Sequence, residues 1–141
     1  MNFLSYVNKD KGIVAIKADN AMEELYNEYF EFFYKYGMPM DRRLFEEFSK
    51  KYEYRINKIV GLADCNYEHG DVFDVELGTK LAKERYMKTF ESYRYKMYNM
   101  ILEKNNAFAT HINKRLDTSA NRRKDRYDNI DEIISKLREN D

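Results

Sequence analysis

Carboxylates crowd one short stretch of the sequence. Asp64, Asp71, Asp74 and Glu76 lie within GLADCNYEHGDVFDVELGTKLAKER, residues 61–85. Carboxylate oxygens at such density could hold Mg²⁺ for phosphoryl or nuclease chemistry. A restriction-type nuclease needs an acid followed by Glu-x-Lys on a neighbouring strand. Here Glu76 is followed by Leu77 and Gly78, and Lys80 falls four positions on, in a stretch that reads as helix. The acids are therefore expected to act as a helix cap, first-turn charges and a solvated loop. His69, His111 and Cys65 are the only other metal-binding or nucleophilic side chains of note. Zinc takes four His/Cys ligands in a structural site, or three ligands that can include carboxylates in a catalytic one. A Cys–His nucleophile pair needs an orienting third group and an oxyanion hole, and no motif marks either. Gly61, Gly70 and Gly78 lead into no Lys-Ser/Thr of a phosphate loop. The expectation is a protein without catalytic, metal or cofactor sites.

One basic concentration remains: Arg122, Arg123, Lys124 and Arg126, with Lys114 and Arg115 upstream and Asp117, Asp125 and Asp128 interspersed. It can contact phosphates or an acidic protein surface, or simply be a solvated helix face. Overall charge is balanced at 25 basic and 25 acidic side chains. It is unevenly placed: residues 1–80 carry 15 acidic and 11 basic groups, and residues 81–141 carry 10 and 14. A polyanion or acidic partner would meet the C-terminal half.

The elements that must position these residues read in two styles. Phe3 to Val7 and Ile13 to Lys17, around NKDKG, form a predicted β-hairpin. Asn20 is the expected N-cap of a helix running to about Tyr36, with Glu23 as capping-box partner and Gly37 as its C′ residue. Asp41 should cap a second, short helix with Leu44, Phe45, Phe48 and Tyr52 as its apolar stripe. Tyr54, Ile56, Val60 and Leu62 share one parity, which predicts a third strand joining the hairpin in an antiparallel sheet. Residues 66–70 read as a loop, and Asp74 as the N-cap of a long helix. That helix carries Tyr86, Phe90, Tyr93, Met97, Ile101, Phe108 and Ile112 at three- or four-residue spacing. Asp117-Thr-Ser-Ala-Asn121 reads as a break, followed by a return helix striped by Tyr127, Ile130, Ile134 and Leu137. The expected fold is α+β in a single domain, 1–141: an α+β body over 1–73 and a C-terminal helical hairpin over 74–141.

Tyr93, Met97, Ile101 and Phe108 are expected to hold that hairpin. Tyr95 and Tyr98, towards or beyond the edge of the stripe, are expected to meet a partner together with Arg122, Arg123, Lys124 and Arg126. Thirteen Tyr and nine Phe suit either a small core built from large rings or an interface. A helix from Asp74 to Leu116 would be roughly 65 Å long at 1.5 Å per residue. Residues near Met97 to Leu102 are thus candidates for burial by a second copy in an antiparallel homodimer. One Cys rules out an intrachain disulfide and suits a reducing compartment. No apolar run is long enough to span a membrane, and the N-terminal residues lack a signal-peptide core, so the expected setting is cytoplasmic.

Gly61, Ala63 and Cys65, then Asp71, Phe73, Asp74, Gly78, Leu81, Ala82 and Arg85 compose the pattern G-x-A-x-C … D-x-F-D-x-x-x-G-x-x-L-A-x-x-R. The segment resembles one found in small uncharacterised proteins of phages and prophages. The resemblance covers about Asp19 to Arg85 and carries over no functional residue. It implies a setting in a host cell: such proteins often bind and block a host protein or ribonucleoprotein, CRISPR nucleases included. The function expected is a non-enzymatic interaction protein, most concretely an anti-CRISPR inhibitor. The alternative is a nucleic-acid-binding accessory protein using residues 81–141.

Overall fold

A computed structural model describes residues 1–65, 67, 70 and 72–139. The chain divides into two units, Met1–Ile101 and Leu102–Asp141.

The first unit is α+β. Strands β1 (Phe3–Asn8), β2 (Ile13–Ala18) and β3 (Gly61–Asp64) form an antiparallel sheet in the order β1-β2-β3. Val14, Ile16 and Ala18 alternate along β2 onto the buried face, as a half-covered strand requires. Helix α1 (Ala21–Lys35) buries Ala21, Leu25, Tyr29 and Phe33, one residue per turn. Its end is a Schellman motif: Met38 N–H donates to Phe33 O at 3.0 Å and Gly37 N–H to Tyr34 O at 3.1 Å. Gly37 sits at φ +64°, the left-handed conformation that this closure needs and that a side chain would strain. At the other end, the Asn20 side chain does not cap α1. Its Oδ1 accepts from Asn2 N–H at 2.8 Å and so ties the helix start to β1 instead.

Helix α2 (Arg42–Asn57) begins as expected, with Asp41 Oδ1 accepting from Leu44 N–H at 3.1 Å. It runs further than expected and absorbs half of the predicted third strand. The i, i+4 series Leu44, Phe48, Tyr52 and Ile56 outlasts the alternation of Tyr54, Ile56, Val60 and Leu62, and no Gly or Pro interrupts it before Gly61. Tyr54 consequently lies on the exposed side of a helix. The strand that follows is short and has the opposite parity. Gly61 and Ala63 point inward while Leu62 and Asp64 point out. A one-residue difference in parity moves every side chain to the other face.

Helix α3 (Val75–Glu139) starts where the sequence places it, with Asp74 Oδ1 accepting from Leu77 N–H at 3.2 Å. Its residues in the first unit bury Ala82, Tyr86, Phe90, Met97 and Ile101. Ala82 packs so closely on β3 that a Cβ on Gly61 would fall 1.9 Å from Ala82 O. Arg85 Nη1 donates to Leu62 O at 2.7 Å, and Phe3 meets the Tyr86 ring edge-on at 5.4 Å.

The second unit is helix throughout its described residues, and the expected helical hairpin is absent. No break occurs at Asp117–Asn121; α3 continues to Glu139. Inside a helix Thr, Ser, Asn and Asp each cost only about 0.5 kcal/mol relative to Ala, and no Gly or Pro follows Gly78 to end the helix. Thr118 Oγ1 is satisfied in place by Lys114 O at 3.0 Å. Every described residue from 102 on is exposed. Of the four residues expected to hold a hairpin, Met97 and Ile101 are buried and Tyr93 is half-buried against Tyr52, but Phe108 is 65% exposed. Phe108→Ala should therefore shift the denaturant midpoint by no more than about 0.5 kcal/mol of stability, the range of surface substitutions. A loss above 2 kcal/mol would mean that Phe108 is packed.

Candidate functional site

The described acids of the 61–85 stretch do not converge. Asp74 is committed to its cap on α3, and Glu76 pairs with Lys80 at 3.6 Å one turn along the same helix. Asp64, Cys65 and Asp74 border a cleft of about 240 Å³ with Gly12, Phe73 and Leu77. Two members of the proposed chemistry, His69 and Asp71, lie outside the described residues. Among the described residues, no three His, Cys, Asp or Glu side chains gather where they could hold a metal ion.

The partner-binding residues expected from sequence fall in both units. In the first, Tyr95 is 72% exposed on α3. Tyr98 is half-buried and belongs to the packing: its ring meets Phe32 edge-on at 5.4 Å. Burial, and next the Glu28 carboxylate beside it, push its phenol up to about 12. Glu28 in turn holds Arg94 Nε at 3.0 Å, and Arg94 also pairs with Glu91. Tyr98 is thus built into a polar clasp between α1 and α3. In the second unit, Arg122, Arg123, Lys124 and Arg126 are all exposed. Arg123 lies over the Tyr127 ring at 5.5 Å and donates to its hydroxyl at 3.1 Å.

The sheet contributes a surface that sequence reading missed. β2 turns Val14 and Ile16 inward, so Ala15 faces out, and strand register sets Tyr6 and Leu62 on either side of it. Tyr6, Ala15 and Leu62 form a row across all three strands, with Leu4 next to Tyr6 along β1. Leu4 is 45% exposed, Tyr6 59% and Leu62 47%. Lys17, Asn8 and Asp64 occupy neighbouring register positions on this face. β1, which carries two of the apolar residues, is also a sheet edge. The signal was present in FLSYV, whose apolar residues occupy both parities of one strand. Such a strand is either covered on both faces or leaves one apolar face to solvent.

No family model matches the chain, and no curated protein or solved structure matches it either. No helix among the described residues is long and apolar enough to cross a membrane.

Proposed function

We propose that the chain acts by binding another protein, as a phage-type interaction protein that blocks or redirects a host complex, a CRISPR effector being the most concrete target. One observation supports this most: the outer face of the sheet presents Tyr6, Ala15, Leu62 and Leu4 as a contiguous apolar surface on a rigid framework. Contiguous apolar surface rimmed by polar residues marks protein interaction sites. The unpaired side of an edge strand adds main-chain donors and acceptors that a partner strand can use. The choice of a host defence complex rests on the phage-like segment, Gly61 to Arg85.

The test compares the wild-type chain with a variant carrying Leu4→Glu, Tyr6→Ser and Leu62→Glu. All three side chains face solvent, so the melting temperature should change little. In affinity capture from a bacterial lysate, the wild type should retain a stable partner and the variant should lose it. Inhibition of a CRISPR effector, where it occurs, should weaken at least about tenfold in the variant, or about 1.4 kcal/mol. Equal capture by both chains would exclude the sheet face as the site.

A second reading draws on the exposed basic group at Arg122 to Arg126: an accessory protein that binds nucleic acid through these residues. It requires a mobility shift that weakens steeply between two salt concentrations, because phosphate neutralisation releases counterions. No shift at low salt removes this reading.

A further inference from the structure

The second unit carries an exposed line of residues that recurs every seven positions. Leu102, Ala109, Leu116, Arg123, Ile130 and Leu137 recur every seven residues and so form one line along the helix. Ala120, Tyr127 and Ile134, four residues after members of that line, widen it into a seam. The seam is fully apolar at Tyr127, Ile130, Ile134 and Leu137, and Asn106, Asn113 and Arg123 interrupt it upstream. Leu102, Leu116, Tyr127, Ile130, Ile134 and Leu137 are all exposed.

We infer that residues 102–139 pair with the same segment of a second chain as an antiparallel two-stranded coiled coil. Charge and size complementarity choose both the direction and the register. In a parallel pair, identical seam positions meet, which would press Arg123 against its own copy. In an antiparallel pair the two kinds of seam position meet each other, and like flanking positions face like. The register that overlaps the whole segment sets Leu116 against Tyr127 of the second copy, Ala109 against Ile134, and the long Arg123 against the small Ala120. On one flank Asp117 then meets Lys124 and Glu103 meets Arg138, each twice by symmetry. On the other flank Ile112 meets Ile133, two exposed apolar residues that lie beside the seam. Sliding one helix by a single heptad places Lys124 against Lys124 and Asp117 against Asp131, so the charges disfavour the nearest alternative. Asn113 then faces Ile130 and Asn106 faces Leu137 in the full-overlap register, so these two seam amides weaken the pair rather than select its register. The overlap is about 55 Å long at 1.5 Å per residue. This inference is independent of what the sheet face binds.

Sedimentation equilibrium on the full chain should show a mass that rises from monomer to dimer with concentration. Orientation is read by mixing two variants, Leu116→Cys and Tyr127→Cys, each in a Cys65→Ser background. Mild oxidation should give mainly the mixed cross-link, because the antiparallel register brings these two positions together. The charge pairs are read separately. Lys124→Glu should weaken the dimer about tenfold or more, and Asp117→Lys added to it should restore association. These positions are exposed in the single chain, so the monomer's fold is not at stake. A monomer mass at every concentration overturns the inference. So does a predominance of cross-links between like variants, or a dimer indifferent to Lys124→Glu.

Discussion

Tyr86→Ala should cost the fold about 3–5 kcal/mol, the range for emptying a fully buried aromatic site. In a thermal melt that is a fall of roughly 10–20 °C. Tyr86 is 0% exposed and lies between Phe3 of the sheet and Phe90 one turn along α3. It therefore joins the first strand to the helix that closes the core. Its hydroxyl adds a second, oppositely signed expectation. The oxygen is buried with no hydrogen-bond partner among the described residues. Burial alone raises the phenol above its ordinary pKa. A buried hydroxyl without a partner carries its desolvation cost uncompensated, about 1–3 kcal/mol. Tyr86→Phe removes that atom and keeps the ring, so it should leave the melting temperature unchanged or raise it. A Phe variant that melts well below the wild type would show that the hydroxyl holds a partner, most simply a water.

Gly61→Ala should be as damaging as a core truncation, although it adds only one methyl group. The added Cβ would stand 1.9 Å from Ala82 O and 2.8 Å from Tyr86 N, both backbone atoms of a helix that cannot yield separately. Overpacking of this kind costs about 1–3 kcal/mol, and more where the obstacle is backbone. Relief requires β3 and α3 to separate, which would also lengthen the hydrogen bond from Arg85 to Leu62 O. Chemical denaturation of the variant against wild type measures the loss. Gly37→Ala is a useful contrast, since nothing lies near its Cβ and only its positive φ is at issue. If both variants lose the same amount, the close approach of Gly61 to α3 is not the reason for its cost.

What could be read from the sequence follows from how local each signal is. The hairpin, the Asp41 and Asp74 caps and the Gly37 closure depend on a few adjacent residues, and the structure contains them all. Alternation starts the third strand too early because Tyr54 and Ile56 fit two periodicities at once. Only burial against α1 and the sheet decides between them, and burial is not local. The predicted C-terminal helical hairpin is absent for a related reason. Cap-forming residues at Asp117–Asn121 permit a break but do not compel one, and helix is kept where nothing competes with it. Phe108 shows the remaining ambiguity. Its spacing continues the stripe of Met97 and Ile101, yet periodicity marks a face without saying what covers it. The outer sheet face escaped notice on the same ground: Leu4, Tyr6 and Leu62 have the composition of covered residues.

The position of β3 has a consequence for how the chain reaches this state. β2 meets β1 across a tight turn, but its other edge waits for β3, whose Gly61 pairs with Ile16 about 45 positions upstream. Closing so long a loop costs entropy before any contact repays it, so the hairpin and α1 should form well ahead of the complete sheet. During synthesis, at 5–20 residues per second, that interval amounts to several seconds. Throughout it β2 offers Val14 and Ile16 on an open edge. A full-length chain refolding from denaturant has no such synthesis delay, but it must close the same loop, so Gly61→Ala should slow refolding and Phe108→Ala should leave the rate unchanged.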